Sequence, residues 1–205
     1  MWKRITILFV GILMMAVGTA ICNYTGLGID PFNAFCNGSS ALFGISLGTF
    51  TLLAQLTLAA GILFLNRSYL GIGSVIPMVF FGYFLQFFNW LLPKMLPEFN
   101  GIFLNILVFL PGMLIIAMGM SIYMNCDLGM VPYDCVSFLL SERTKKNAFV
   151  LRVVIDTAFA VMALMVRGPI SIGTILLALG IGPLLSLAKK GVKRLNDLHL
   201  LAIPK

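Results

Sequence analysis

Apolar residues dominate the chain in six long stretches separated by polar or glycine-rich connections. The stretches cover residues 5–22, 47–65, 69–92, 103–124, 147–166 and 169–188. A transmembrane α-helix needs about 20 predominantly apolar residues to cross the hydrocarbon core of a bilayer. Only the fifth stretch contains charged residues, Arg152 and Asp156. The pattern therefore predicts an all-α integral membrane protein with six transmembrane helices.

Two similar polar segments interrupt this pattern. "LGIDPFNA" occupies residues 27–34 and "LGMVPYDC" occupies residues 128–135, and we call each of them an LGxxP motif. Segments around them match with a nearly constant offset, as "GILMMAVG" at 11–18 and "GMLIIAMG" at 112–119 illustrate. The chain is therefore interpreted as two repeats, at about 4–92 and about 103–188, within a single membrane domain, residues 1–205.

The segment after each LGxxP motif is short and polar. "PFNAFCNGSSALF" and "PYDCVSFLL" are too short to cross a bilayer, which favours a re-entrant or interfacial helix in each repeat. Each repeat then has three spans, and because three is odd, the second repeat enters the membrane from the opposite side. The predicted fold is therefore two inverted three-helix repeats.

Composition and charge agree with a membrane protein. The 205 residues are 60% hydrophobic and 10% charged, which leaves nothing for a sizeable soluble domain. The net charge of +7 lies in loops and termini, where it orients a membrane protein, so nucleic-acid binding is not expected.

The positive charges also predict the orientation. With the N-terminus in the cytoplasm, all 14 lysines and arginines except Lys94 and Arg167 are cytoplasmic. An eight-span arrangement gives the same balance, with Lys94 exchanged for Arg67. Charge therefore predicts two cytoplasmic termini, and span length favours six spans. The basic tail, residues 189–205, is expected to contact anionic membrane lipids.

Each LGxxP motif has the residues that begin a helix. Asp30 is a favourable N-cap, and Pro31 and Pro132 suit the first helical turn. Asn33 and Asp134 follow within that turn. A chain break, a cap and a short helix explain the motif structurally. The functional alternative is that two such helix ends, entering from opposite faces, form a substrate site near the membrane midplane.

The fifth stretch contributes the other candidate site residues. Arg152 and Asp156 have the i,i+4 spacing of an ion pair on one helix face, with the Arg152 side chain extending towards the cytoplasmic surface. The alternative is a relay or a ligand contact. Gln55 occupies the position of Asp156 in the first repeat.

No residue pattern indicates an enzyme. The chain has four cysteines without a CxxC pair and one histidine, so neither a metal site nor a cofactor is expected. A Cys22–Cys36 disulfide is an open alternative to four buried thiols. We find no candidate catalytic residue.

The segments "GLGIDPFNAF", "DLGMVPYDCVSFLLSERT", "PISIGT" and "LALGIGPL" resemble the YczE/YyaS/YitT group of bacterial integral membrane proteins. The resemblance covers essentially the whole chain. It implies a small multi-pass protein of the bacterial plasma membrane and supplies no substrate or catalytic residue.

The leading functional hypothesis is a small-solute transporter with its site between the two LGxxP motifs. Asn33 is neutral and Asp134 can ionise, so we expect a polar or cationic solute, with Asp134 more important than Asp30. One alternative is a substrate-binding subunit with a separate energising partner, for which Ala16 and Ala20 offer a face of small residues. Another is a non-transporting accessory protein. A homodimer is a further candidate assembly.

Overall fold

The computed structural model describes residues 2–65, 70–97, 101–126 and 128–197. These residues form eight α-helices: α1 (Trp2–Tyr24), α2 (Pro31–Phe43), α3 (Leu47–Leu65), α4 (Ile72–Met95), α5 (Ile102–Met124), α6 (Pro132–Thr144), α7 (Ala148–Met165) and α8 (Ile172–Asp197). The orientation charges predicted at Arg67 and Lys205, and the histidine His199, lie outside the described residues.

The six long helices are α1, α3, α4, α5, α7 and α8. Each is long and apolar enough to cross a membrane, which confirms the predicted multi-pass membrane protein. Large apolar side chains on these helices remain exposed, among them Phe64 at 92% and Phe103 at 78%. Such surfaces are compatible with a lipid environment and not with water.

Three helices extend three or more residues beyond the C-terminal ends predicted from the sequence. Helix α4 continues past Pro93 to Met95, where the Lys94 ammonium lies 3.5 Å from the centre of the Trp90 ring. Helix α6 continues to Thr144 and ends at Lys145, whose φ is 54°. Helix α8 continues through the first part of the predicted tail to Asp197, so residues 189–197 extend a long helix instead of forming a separate segment.

Helices α2 and α6 have 13 residues each. At 1.5 Å per residue each is about 20 Å long, shorter than the hydrocarbon core of about 30 Å. Helix α2 ends at Gly44, whose left-handed backbone donates to the carbonyl groups of Ala41 and Ser40. Both short helices begin at the proline of an LGxxP motif, as predicted.

Helices α1 and α5 form the centre of the molecule. A Cβ atom on Gly11 would lie 2.9 Å from the carbonyl oxygen of Gly119, and one on Gly18 would lie 2.7 Å from that of Gly112. The glycines therefore permit close backbone packing, as their spacing indicated. Since later residues of α1 face earlier residues of α5, the two helices run in opposite directions.

The prediction that α1 offers a face of small residues to a partner subunit is wrong. Ala16 and Ala20 are fully buried inside the protein, in the same core as Ile116 and Met120 of α5. Their small side chains are therefore covered by this chain itself and offer no exposed face to a second membrane subunit.

Each LGxxP motif packs against the other repeat. The amide of Gly73 donates to the carbonyl oxygen of Leu128 at 2.8 Å, and the amide of Gly173 donates to that of Leu27 at 2.8 Å. These bonds satisfy first-turn amides of α4 and α8, which have no partner within their own helix. The two repeats are therefore interlocked through the segments that precede α2 and α6.

Candidate functional site

The site begins with the cap of α2. Asp30 accepts a hydrogen bond from the amide of Asn33 at 3.1 Å, as predicted for an N-cap, and Pro31 occupies the first helical turn. The other Asp30 oxygen accepts from the Asn33 side-chain nitrogen at 2.8 Å. Asp30 and Asn33 therefore form one rigid polar unit.

Helix α6 begins differently. Val131 is its N-cap and has no side-chain acceptor, and Pro132 occupies the first turn. The free amide of Tyr133 donates instead to the side-chain oxygen of Gln55, on α3, at 3.2 Å. A residue of the first repeat thus completes the helix end of the second. Gln55 is 3% exposed, so this bond is shielded from water.

A network of acidic and tyrosine side chains surrounds Arg152. Its Nη1 atom lies 3.0 Å from Asp134, and its Nε atom lies 3.9 Å from Asp156. The hydroxyl of Tyr123 donates to Asp134, and the hydroxyl of Tyr133 donates to Asp156. Arg152 is therefore neutralised mainly by the first turn of α6.

This arrangement changes two predictions about Arg152. The i,i+4 contact with Asp156 exists, but Asp134 is the closer partner. The guanidinium does not extend to the surface, because its side chain is only 18% exposed and is held by Asp134. Packing of α6 on α7 brings this carboxylate within reach, and such packing is not visible in the sequence of α7.

A cavity of about 50 Å³ lies at the centre of the bundle. Residues from all eight helices and both motifs line it: Ile12, Met15, Thr19, Asp30, Phe32, Asn33, Gln55, Pro77, Phe81, Ile116, Met120, Val131, Tyr133, Asp134, Arg152 and Ile181. A water molecule occupies about 10–15 Å³ by this measure, so the space suits a few water-sized groups.

Five of the eight predicted site residues line this cavity: Asp30, Asn33, Gln55, Asp134 and Arg152. The other three do not. Pro31 and Pro132 are buried in the first turns of α2 and α6. Asp156 is bonded to the Tyr133 hydroxyl, so it contacts the lining residues and is not one of them.

The aromatic residues of the site were not among the predicted site residues. The rings of Phe32 and Tyr133 stack with centroids 4.6 Å apart, and Phe159 packs edge-on against both. Phe32 follows the proline of the first motif and Tyr133 follows that of the second. An aromatic residue at the same position of both repeats could therefore have indicated that these rings belong to the site. Tyr123 precedes its motif and carried no such signal.

The cysteines show no disulfide. Cys22, Cys36, Cys126 and Cys135 are all buried and none of them forms a disulfide, so the alternative Cys22–Cys36 bridge is wrong. Within the described part of the chain, no group of three or more histidine, cysteine, aspartate or glutamate side chains is arranged to hold a metal ion.

Comparison with known proteins identifies relatives along nearly the whole chain. A family model described as "Family of unknown function (DUF6198)" matches residues 2–190. The uncharacterized membrane protein YczE of Bacillus subtilis is 31% identical over 183 residues, 89% of this chain and 83% of that protein. No solved structure matches the chain.

Two further relatives are more distant. The uncharacterized protein YyaS of Bacillus subtilis is 25% identical over 82% of this chain and 83% of its own length. An uncharacterized protein of Haemophilus influenzae is 24% identical over 88% of this chain and 81% of its own length. These relatives support the resemblance to the YczE/YyaS group drawn from the motifs.

Proposed function

The chain belongs to the family of unknown function DUF6198, and we propose that it is a small-solute transporter whose site is the central cavity. The observation that carries this proposal is that first-turn residues of both motif helices meet there. Asp30 is the N-cap of α2, Asn33 lies in the first turn of α2, and Asp134 lies in the first turn of α6. Helix ends of this kind form the substrate sites of many secondary transporters.

The proposed architecture is a pair of inverted repeats. The contact of Gly11 with Gly119 has its counterpart in the contact of Gly18 with Gly112. The cross-repeat hydrogen bonds at Gly73 and Gly173 form a second such pair. In each pair of contacts, equivalent residues of the two repeats exchange places, as expected of two halves related by a two-fold axis. Since α1 and α5 are antiparallel, that axis lies in the membrane plane, which favours inversion.

Helices α2 and α6 are proposed to be re-entrant. Both are too short to span the bilayer, and both begin at the cavity in the middle of the bundle. Backbone that is not helical is tolerated at membrane depth where it is buried in protein or lines a cavity. The segments that precede α2 and α6 meet this condition through their bonds to the opposite repeat.

The proposed location is the bacterial plasma membrane, with both termini in the cytoplasm. This places the α4–α5 connection outside and the α6–α7 connection inside. The charges support the assignment, since Arg143, Lys145 and Lys146 surround the α6–α7 connection, whereas Lys94 is the one cation described near the other.

A thiol-accessibility experiment tests the transport proposal without a known solute. In a variant whose four cysteines are alanine, Met15→Cys places one thiol in the cavity wall. A transporter exposes its site to each face in turn. We therefore expect a membrane-impermeant, positively charged methanethiosulfonate to modify this thiol in both right-side-out and inside-out vesicles. Modification from one face only, or from neither, would overturn the proposal.

Two matched variants complete this experiment. Leu164→Cys places the thiol on an exposed, lipid-facing position of α7 and should stay unmodified in both preparations. Pro97→Cys lies in the α4–α5 connection and should react only in right-side-out vesicles. Reaction of Pro97→Cys only in inside-out vesicles would reverse the proposed orientation.

A further inference from the structure

The cavity is surrounded by more acidic than basic side chains. Asp30 and Asp134 line it, and Asp156 contacts it through Tyr133. Arg152 is the cation that lines it, and it lies within 4 Å of Asp134 and Asp156. Among the described residues, no lysine or arginine forms an ion pair with Asp30. The carboxylate without a cation is therefore Asp30.

A second observation concerns the neighbouring side chain. Asn33 is 6% exposed and lines the cavity, and its side-chain oxygen has no hydrogen-bond partner among the described residues. The amide cannot be turned round to relieve this, because its nitrogen donates to Asp30 and an oxygen there would face a carboxylate. A buried acceptor without a donor costs free energy that a donor on a ligand would recover.

We infer that the transported solute is a small organic cation with N–H donors, such as an alkylammonium or a guanidinium, bound at Asp30 and Asn33. This inference rests on the proposed transport function and names its substrate class. The cation supplies the charge that Asp30 lacks and the donor that the Asn33 oxygen lacks.

The size of the cavity limits the cation. About 50 Å³ accommodates about three to five water-sized groups, which corresponds to ethylammonium or guanidinium.

Asp134 plays a different part from the one expected from the sequence. It is already paired with Arg152 and accepts from Tyr123, so its charge is used within the protein. The binding carboxylate is instead the N-cap residue Asp30, which was expected to contribute less than Asp134.

Thermal unfolding of the full chain in detergent tests the inference. The probes are ethylammonium and guanidinium chlorides, the neutral planar analogue urea, tetramethylammonium chloride and sodium acetate, all at millimolar concentration and matched ionic strength. Ethylammonium and guanidinium should raise the unfolding temperature in a saturable way. Urea and acetate should not, and tetramethylammonium, which has no N–H donor, should bind at least about tenfold more weakly.

Variants assign the binding to the two residues. Asp30→Asn keeps a good helix cap and removes the charge, and it should weaken ethylammonium binding at least about tenfold. Asn33→Ala keeps the charge, and it should weaken binding by about two- to tenfold. Glu142→Gln removes an exposed carboxylate of α6 and should bind like the unmodified protein. If Asp30→Asn does not fold, Asp30→Glu and Asn33→Ala carry the test.

The outcomes separate this inference from the function on which it rests. Saturable binding of urea or acetate, without binding of ethylammonium or guanidinium, would overturn the cation inference and leave a solute site in place. Amine binding that survives both Asp30→Asn and Asn33→Ala would overturn the assignment of the site. Absence of binding by every probe would overturn the cation inference, while the cysteine experiment in vesicles decides the transport function independently.

Discussion

Replacing Asp134 by asparagine is expected to lower the free energy of unfolding by about 3 kcal/mol. Asp134 is 4% exposed and lies 3.0 Å from Arg152, so the substitution leaves a guanidinium with only the more distant Asp156. Arginine cannot relieve this by losing a proton. Asp156→Asn should destabilise less, since the closer carboxylate remains. Detergent unfolding followed by helical circular dichroism measures both losses.

The double variant Arg152→Gln, Asp134→Asn decides whether these groups form a pair. It removes both charges, and its unfolding free energy should therefore exceed that of Asp134→Asn alone by about 1–3 kcal/mol. Glu142→Gln is the matched control, because Glu142 is exposed on the same helix, and it should change stability by less than about 0.5 kcal/mol. Additive losses in the double variant would contradict the pairing.

Replacing Gly28 by alanine is expected to lower the free energy of unfolding by roughly 3 kcal/mol or more. Gly28 has φ 98°, which a side chain makes unfavourable, and its Cβ would lie 2.5 Å from the Thr174 hydroxyl and 2.9 Å from the Ser171 amide. The substitution therefore strains the chain and separates the first motif from the start of α8. Gly129→Ala should act alike, because its Cβ would lie 2.5 Å from the Ser74 hydroxyl and 2.7 Å from the Gly71 amide.

Gly26 provides the matched control for this experiment. It lies in the same connection and also has a positive φ, 69°, but a Cβ there would meet no atom within 4 Å. Gly26→Ala should cost only about 1–2 kcal/mol of backbone strain. If Gly28→Ala and Gly26→Ala destabilise equally, the contact between the motif and the opposite repeat adds nothing to stability.

Local features of the sequence predicted the helices and the cap of α2. The six spans follow from the length of apolar runs, and the starts of α2 and α6 follow from Pro31 and Pro132. The capping of α2 by Asp30 depends on residues three positions apart. Such features need no knowledge of the tertiary fold, so they could be read directly from the chain.

Contacts between distant residues could not be predicted in the same way. Gln55 completes the start of α6 from 78 positions away, and Asp134 reaches Arg152 from 18 positions away. The sequence offered the nearer i,i+4 partner, Asp156, which is the more distant in space. Ala16 and Ala20 were likewise interpreted as a face for a partner helix, because nothing in α1 indicates that other helices of the same chain bury them.

The repeat gave the best indication of the site because it marked two segments at once. It also concealed their difference. Asp30 and Asn33 in the first motif correspond to Val131 and Asp134 in the second, so the carboxylates occupy different positions. Only the placement of Arg152 beside Asp134 distinguishes the paired carboxylate from the one at Asp30.

Solute flux into proteoliposomes tests most directly whether the cavity between the motifs conducts solutes. Radiolabelled ethylammonium, urea and acetate represent the three charge classes. Ile181→Phe enlarges a side chain of the cavity wall, and Ile175→Phe makes the same change on the same helix at a residue that is 60% exposed. Under the transport proposal, ethylammonium flux should exceed that of protein-free liposomes, fall at least about tenfold in Ile181→Phe and stay unchanged in Ile175→Phe. Flux of none of the three solutes, or flux that Ile181→Phe leaves unchanged, would contradict it.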